Sequence, residues 1–140
     1  MPASDSLTNR EGLTTIPSCF SPKETMERLE TEIQAKGMKV FARIDHAAGA
    51  AEVGLTLRPT ELIIFGNARG GTPLMQPNQT VGIYLPLKAL VWQDAAGKTW
   101  ISYNEARWIV QRHNVANAES IVNKIADLLR AISTKAANLQ

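Results

Sequence analysis

Asp45 and His46 stand side by side where an apolar segment ends. A carboxylate beside an imidazole can orient a histidine for proton transfer or metal binding. A metal needs about three or four convergent donors. The other good donors are His113 and Cys19, and neither falls at a ligand spacing from His46. No metal site is expected. Asp45 also has a plainer use as the cap of a short helix running to about Val53, with His46 a polar boundary residue.

A second place is the run from Gly66 to Met75. A buried strand over Glu61–Gly66 leads into the glycine-rich connection Asn67-Ala68-Arg69-Gly70-Gly71, and Thr72-Pro73 then reads as a cap and first helical residue. N–H groups at a helix start, with Arg69 nearby, suit an anion such as a phosphate or carboxylate. The phosphate-loop Lys-Ser/Thr pair and GxGxxG are both missing. That helix has room for one turn before Pro77. A tight turn with a Thr cap is the plainer reading.

Nucleophilic catalysis finds little purchase. There is no GxSxG elbow. Nothing near Cys19 in sequence would activate its thiol. Tyr103, at the end of a strand, can aim a hydroxyl into a pocket, and Asn104 reads as a helix cap.

The clearest local structure is a hairpin. Leu87–Gln93 and Lys98–Tyr103 read as strands joined by Asp94-Ala95-Ala96-Gly97, a type I turn closed by a left-handed glycine. Trp92 then lies opposite Trp100. Alternation sets Lys88, Leu90, Trp92 and Trp100 on one face and Leu87, Ala89, Val91, Ile101 and Tyr103 on the other. Both faces are apolar. One would pack on helices; the other, with Leu90, Trp92 and Trp100, is a candidate interface, since tryptophan is enriched at interface centres.

Around these places the chain supplies ordinary means. Its 140 residues suit one domain, with 44% apolar and 20% charged residues. The net charge of +2 is scattered, without the basic stripe expected of a nucleic-acid binder. A single cysteine allows no internal disulfide, and no apolar run is long enough for a signal peptide or membrane span. The expectation is a cytoplasmic domain over 11–140 behind a flexible tail over 1–10, with no nucleic-acid or membrane partner.

The remaining elements follow from punctuation and period. Leu13–Ile16 reads as a strand stopped by Pro17. Ser21, Pro22 and Glu24 open a helix that carries Met26, Leu29 and Ile33 and ends at Gly37. Met38–Asp45 reads as a strand with Met38, Val40, Ala42 and Ile44 on one face and Phe41, Arg43 and Asp45 on the other. Val81–Tyr84 reads as a short extended piece. Asn104 caps a helix to Arg112, and Asn117 caps a last helix striped by Ile121, Ile125, Leu128, Leu129 and Ile132. The mixture predicts an α+β fold, helices on one face of a largely antiparallel sheet.

Three ordered segments resemble a known family, the bacterial domain of unknown function 302. They are Val40–His46; Leu62–Asn67 with Gly71–Met75; and Leu85–Trp92 with Trp100–Asn104. The likeness spans about residues 12–134. It implies a helix-backed antiparallel sheet somewhat like that of the TATA-binding protein. Many relatives look to carry Pro-Lys where this chain has Ala68-Arg69, which keeps a positive charge on a looser backbone. The resemblance implies no activity and names no cofactor.

Two functional readings of different class remain. One is a non-catalytic binding or interaction domain, a homodimer, holding a small anionic or apolar ligand near His46, Asn67, Arg69, Thr72, Lys88 and Tyr103. The other is a small-molecule enzyme using His46 and neighbouring polar residues for acid–base chemistry.

Overall fold

A computed structural model describes residues 7–8 and 11–138. Most of the tail expected over 1–10 lies outside the described residues. The chain forms β1 (Leu7–Thr8), β2 (Leu13–Ser18), α1 (Pro22–Ala35), β3 (Lys39–Asp45), α2 (His46–Glu52), β4 (Thr60–Gly66) and α3 (Ala68–Met75). A 3-10 helix (Gln79–Tyr84), β5 (Leu87–Gln93), β6 (Thr99–Asn104), α4 (Ala106–Arg112) and α5 (Glu119–Ala137) follow. All strand pairs are antiparallel, in the order β1-β2-β6-β5-β4-β3.

The fold is the expected α+β arrangement. α1 and α5 pack on each other and on one face of the sheet, and α4 packs on α5. That face supplies Ile63, Phe65, Ala89, Val91 and Ile101, all buried against Met26, Leu29, Ile33, Leu129 and Ile132. α1 starts as expected: Ser21 Oγ accepts the Glu24 N–H at 3.1 Å, with Pro22 at the first turn.

The hairpin also forms in the expected register, with Trp92 opposite Trp100. Asp94 builds its turn by accepting the N–H groups of Ala96 at 3.0 Å and Lys98 at 2.9 Å, while Gly97 takes φ +86°. The Trp100 indole N–H, then the Lys98 and Ala96 N–H groups, hold the Asp94 carboxyl below its ordinary pKa.

Several expectations are corrected. Pro17 does not stop β2: it pairs with Trp100 of β6, and its neighbours Ile16 and Ser18, paired with Ile101 and Thr99, carry the strand past it. β3 carries a bulge at Phe41, between the pairs Val40–Phe65 and Ala42–Ile64. The extra residue inverts the alternation. Val40 and Arg43 therefore share the helix side with Phe65 and Ile63, while Ala42 and Ile44 go to the opposite face.

The connection expected over 67–71 is already helical. Asn67, not Thr72, caps α3 by accepting the Gly70 N–H at 2.7 Å. Thr72 and Pro73 sit inside that helix. The segment 81–84 is not extended either: Asn78 caps it by accepting the Thr80 N–H at 3.1 Å, winding it into the 3-10 turn. α4 takes Glu105 as its cap residue rather than Asn104, and α5 takes Ala118 rather than Asn117, which is left-handed at φ +58°.

Candidate functional site

Two depressions bring candidate residues together, and they lie on different parts of the fold. The first is an apolar cavity of about 290 Å³ walled by the end of β4, α3, the start of β5 and α5. Met38, Met75, Leu85, Leu87, Ile125 and Leu128 supply its apolar lining. Among the described residues, Asn67 and Thr72 are its only polar side chains and no ionisable residue lines it.

Glycines make this space. A Cβ at Gly71 would meet Leu85 Cδ1 at 3.5 Å, and one at Gly82 would meet Met75 Sδ at 3.1 Å. α3 and the 3-10 helix thus approach closely and leave a hollow beneath. The wall is anchored from outside: the Asn78 amide donates to the His113 carbonyl, and Thr80 Oγ1 shares a hydrogen bond with His113 Nδ1 at 2.8 Å. Tyr84 sets its ring edge-to-face on Trp108 at 5.2 Å.

The second depression lies on the sheet face opposite the helices. Leu13, Thr15, Leu62, Lys88, Leu90, Trp92, Ser102 and Asn104 border it. Two of the three N–H donors of the Lys88 ammonium turn back to the chain, to the backbone carbonyls of Pro86 at 2.9 Å and Tyr84 at 3.4 Å. Burial lowers its pKa. Tyr103 also borders the depression, yet its side chain belongs to the helix side and is only 6% exposed. Burial pushes the Tyr103 phenol up to about 12, Glu105 adding and Arg130 opposing.

The six expected ligand residues therefore do not share one pocket. Asn67 and Thr72 line the cavity; Lys88 and Tyr103 both border the sheet depression, but their side chains take opposite faces of the sheet. Arg69 and His46 are exposed and line neither. Asp45 caps α2, accepting the Ala48 N–H at 2.9 Å, which is the plainer of its two readings. Among the described residues no cluster of three His, Cys, Asp or Glu is placed to hold a metal. Leu90, Trp92 and Trp100 do share the open face, each half-buried.

Sequence reasoning missed the cavity's apolar wall. The available signal was the Gly70-Gly71 pair. Two glycines inside a helix weaken it by about 1 kcal/mol each relative to Ala, which hints at a close approach.

A family model, the domain of unknown function DUF302, matches residues 14–132. The chain belongs to the DUF302 family. An uncharacterised conserved DUF302 protein from Bacillus stearothermophilus shares the fold, with a TM-score of 0.81 at 24% identity over 90% of this chain and 98% of that one. Among curated proteins, the fluoride-specific ion channel FluC 1 of Brucella suis is 48% identical over 113 residues, 81% of this chain and 44% of that protein. The FluC 1 of Brucella abortus is likewise 48% identical over 113 residues, 42% of its length. This DUF302 chain thus spans less than half the length of the curated relatives it matches. Among its described residues no helix is long and apolar enough to cross a membrane.

Proposed function

We propose that this domain is a non-catalytic binding module that holds a small, largely apolar molecule in the cavity beneath α3. One observation carries the reading: a preformed hollow of about 290 Å³ lined by apolar side chains, with Asn67 and Thr72 the polar anchors among the described residues. Ligand sites are typically apolar cavities of roughly 300–1,000 Å³ with a few polar groups. This one suits a compact metabolite with a single polar group.

Of the two ligand classes considered, the apolar one is favoured over the anionic. Among the described residues no cation lines the cavity, and the Asn67 carboxamide oxygen is engaged by the Gly70 N–H. Acid–base catalysis by His46 has no such support, because an enzyme needs titratable groups converging in a cleft and His46 is exposed outside both depressions.

The channel named for the Brucella proteins is read as a property of the part outside the match, with this domain an attached ligand-binding unit. The same reading sets the domain in the cytoplasm, with Cys19 an exposed free thiol.

A thermal-shift screen of metabolites tests the proposal. A ligand at a hundred times its dissociation constant stabilises by about 2.7 kcal/mol, a rise of roughly 8 °C for a domain of this size. Gly71→Leu, which extends a side chain at the cavity wall, removes the shift. A shift unchanged in Gly71→Leu places the ligand elsewhere and overturns the reading.

A further inference from the structure

The side-chain amide of Asn67 fits the fold only one way round. As the cap of α3, its Oδ1 accepts the Gly70 N–H at 2.7 Å. The reverse orientation would set two N–H donors against each other. A Cβ at Gly70 would fall 3.3 Å from that oxygen, so glycine there lets the carboxamide sit close. The helix start thus takes up the accepting end of Asn67. The end left over is its NH2 group, which can only donate.

Asn67 also lines the cavity beneath α3, and it is exposed, so it stands at the rim. Thr72 is the other polar side chain of the lining among the described residues. Its hydroxyl turns either to donate or to accept, and so selects neither kind of ligand. The chemical bias of the site therefore lies in Asn67. The apolar wall bears on the body of the ligand. Met38 and Met75 offer thioethers, which make favourable contacts with aromatic rings. Phe41, 50% exposed, joins them in the lining. A cavity of about 150 Å³ takes benzene. At about 290 Å³ this one has room for a ring with a short substituent.

We propose that the cavity selects a small, neutral aromatic carbonyl compound, its ring against Met38 and Met75 and its carbonyl oxygen accepting from the Asn67 NH2. The inference rests on the reading of the cavity as a binding site and narrows it to a ligand class. An amine would meet a donor with a donor and lose its hydration without replacement. A carboxylate would find no cation, since none lines the cavity among the described residues. Specificity here is a difference between ligands of like size, set by one amide.

The test is the affinity of the intact chain for acetophenone, para-ethylaniline and ethylbenzene, by methionine-methyl NMR titration. All three carry a ring with a two-carbon substituent. They differ in offering an acceptor, chiefly a donor, and no polar group. Asn67→Asp keeps the cap, because Asp caps as well as Asn, and turns the free end from donor to acceptor. Circular dichroism checks its fold. The acetophenone-to-ethylaniline affinity ratio should fall about tenfold in Asn67→Asp, with ethylbenzene within about twofold of the parent. Asn67→Ser, which caps without an amide, should weaken acetophenone about fivefold and leave ethylbenzene unchanged. Ethylbenzene binding with the ratio unmoved in both variants overturns the carbonyl assignment alone. Failure of all three probes to bind the parent overturns the binding reading and this assignment with it.

Discussion

Trp92 and Trp100 face each other across β5 and β6 with ring centroids 6.1 Å apart and planes 24° from parallel. Each indole N–H is committed within the sheet, Trp92 to Ser102 Oγ and Trp100 to Asp94 Oδ2, both at 2.9 Å. Ser102 Oγ also shares a hydrogen bond with Thr15 Oγ1 at 2.9 Å. The two indole rings on the open face are therefore held in place by hydrogen bonds within the chain.

That network makes Ser102→Ala informative. The Trp92 N–H loses its acceptor on a half-buried face, and Thr15 loses its partner. Leaving such a donor unpaired costs about 1–2 kcal/mol, to be read from urea denaturation midpoints. A variant as stable as the parent would mean that water replaces the serine without loss.

Arg43 holds three carboxylates. Its guanidinium donates to Glu61 at 2.9 and 3.1 Å, to Glu30 at 2.8 Å and to Glu27 at 3.2 Å. Arg43→Met leaves three acidic groups clustered without a cation. The expected cost is about 2 kcal/mol at neutral pH, larger than for an exposed pair because the guanidinium and two of the carboxylates are partly buried. The deficit should shrink as pH falls and the carboxylates protonate. A deficit independent of pH would show that lost packing, not charge, is responsible.

Gly12 has a different constraint. Its φ is +85°, and a Cβ there would fall 2.4 Å from Trp108 Cβ. Gly12→Ala should cost more than about 2 kcal/mol, from left-handed strain and clash together. Gly37→Ala is the control, since Gly37 has φ +78° with nothing within 4 Å, and strain alone costs about 1 kcal/mol. Equal losses in the two variants would mean that the Trp108 contact yields freely.

Tyr103 sets an alkaline limit. Its pKa rises from 10.0 to about 12 in the fold, through burial first and then Glu105. Between those values the folded chain keeps a proton that the unfolded chain releases, so stability falls as pH rises. The contribution is complete below pH 10 and is lost through about pH 12. Tyr103→Phe should flatten that stretch of the stability profile. An unchanged alkaline slope would assign it to other groups.

Much of this architecture is written in local signals. Ser21-Pro22 with Glu24 and Asp94-Ala95-Ala96-Gly97 each close through side-chain bonds a few residues long, so the sequence alone places α1 and the hairpin. The errors arise where distant partners decide. The bulge at Phe41 depends on the register with β4, and Pro17 stays in β2 through its pairing with Trp100 of β6. The cavity was half legible. Asn67 and Thr72 stand out as polar residues in a glycine-rich run, but Met38, Ile125 and Leu128 join them only through the tertiary fold. Lys88 and Tyr103 carry site-like chemistry in sequence, and the fold ties one to backbone carbonyls and buries the other.

The methionine methyl groups report on the cavity most directly. Met38 and Met75 line it, whereas Met26 is buried in the core between α1 and the sheet. In a carbon-labelled methionine NMR titration with a small apolar probe such as benzene, the Met38 and Met75 resonances should move together and saturate while Met26 stays still. Methionine resonances that do not move, with the probe shifting the Trp92 and Trp100 indoles instead, would contradict a binding site beneath α3.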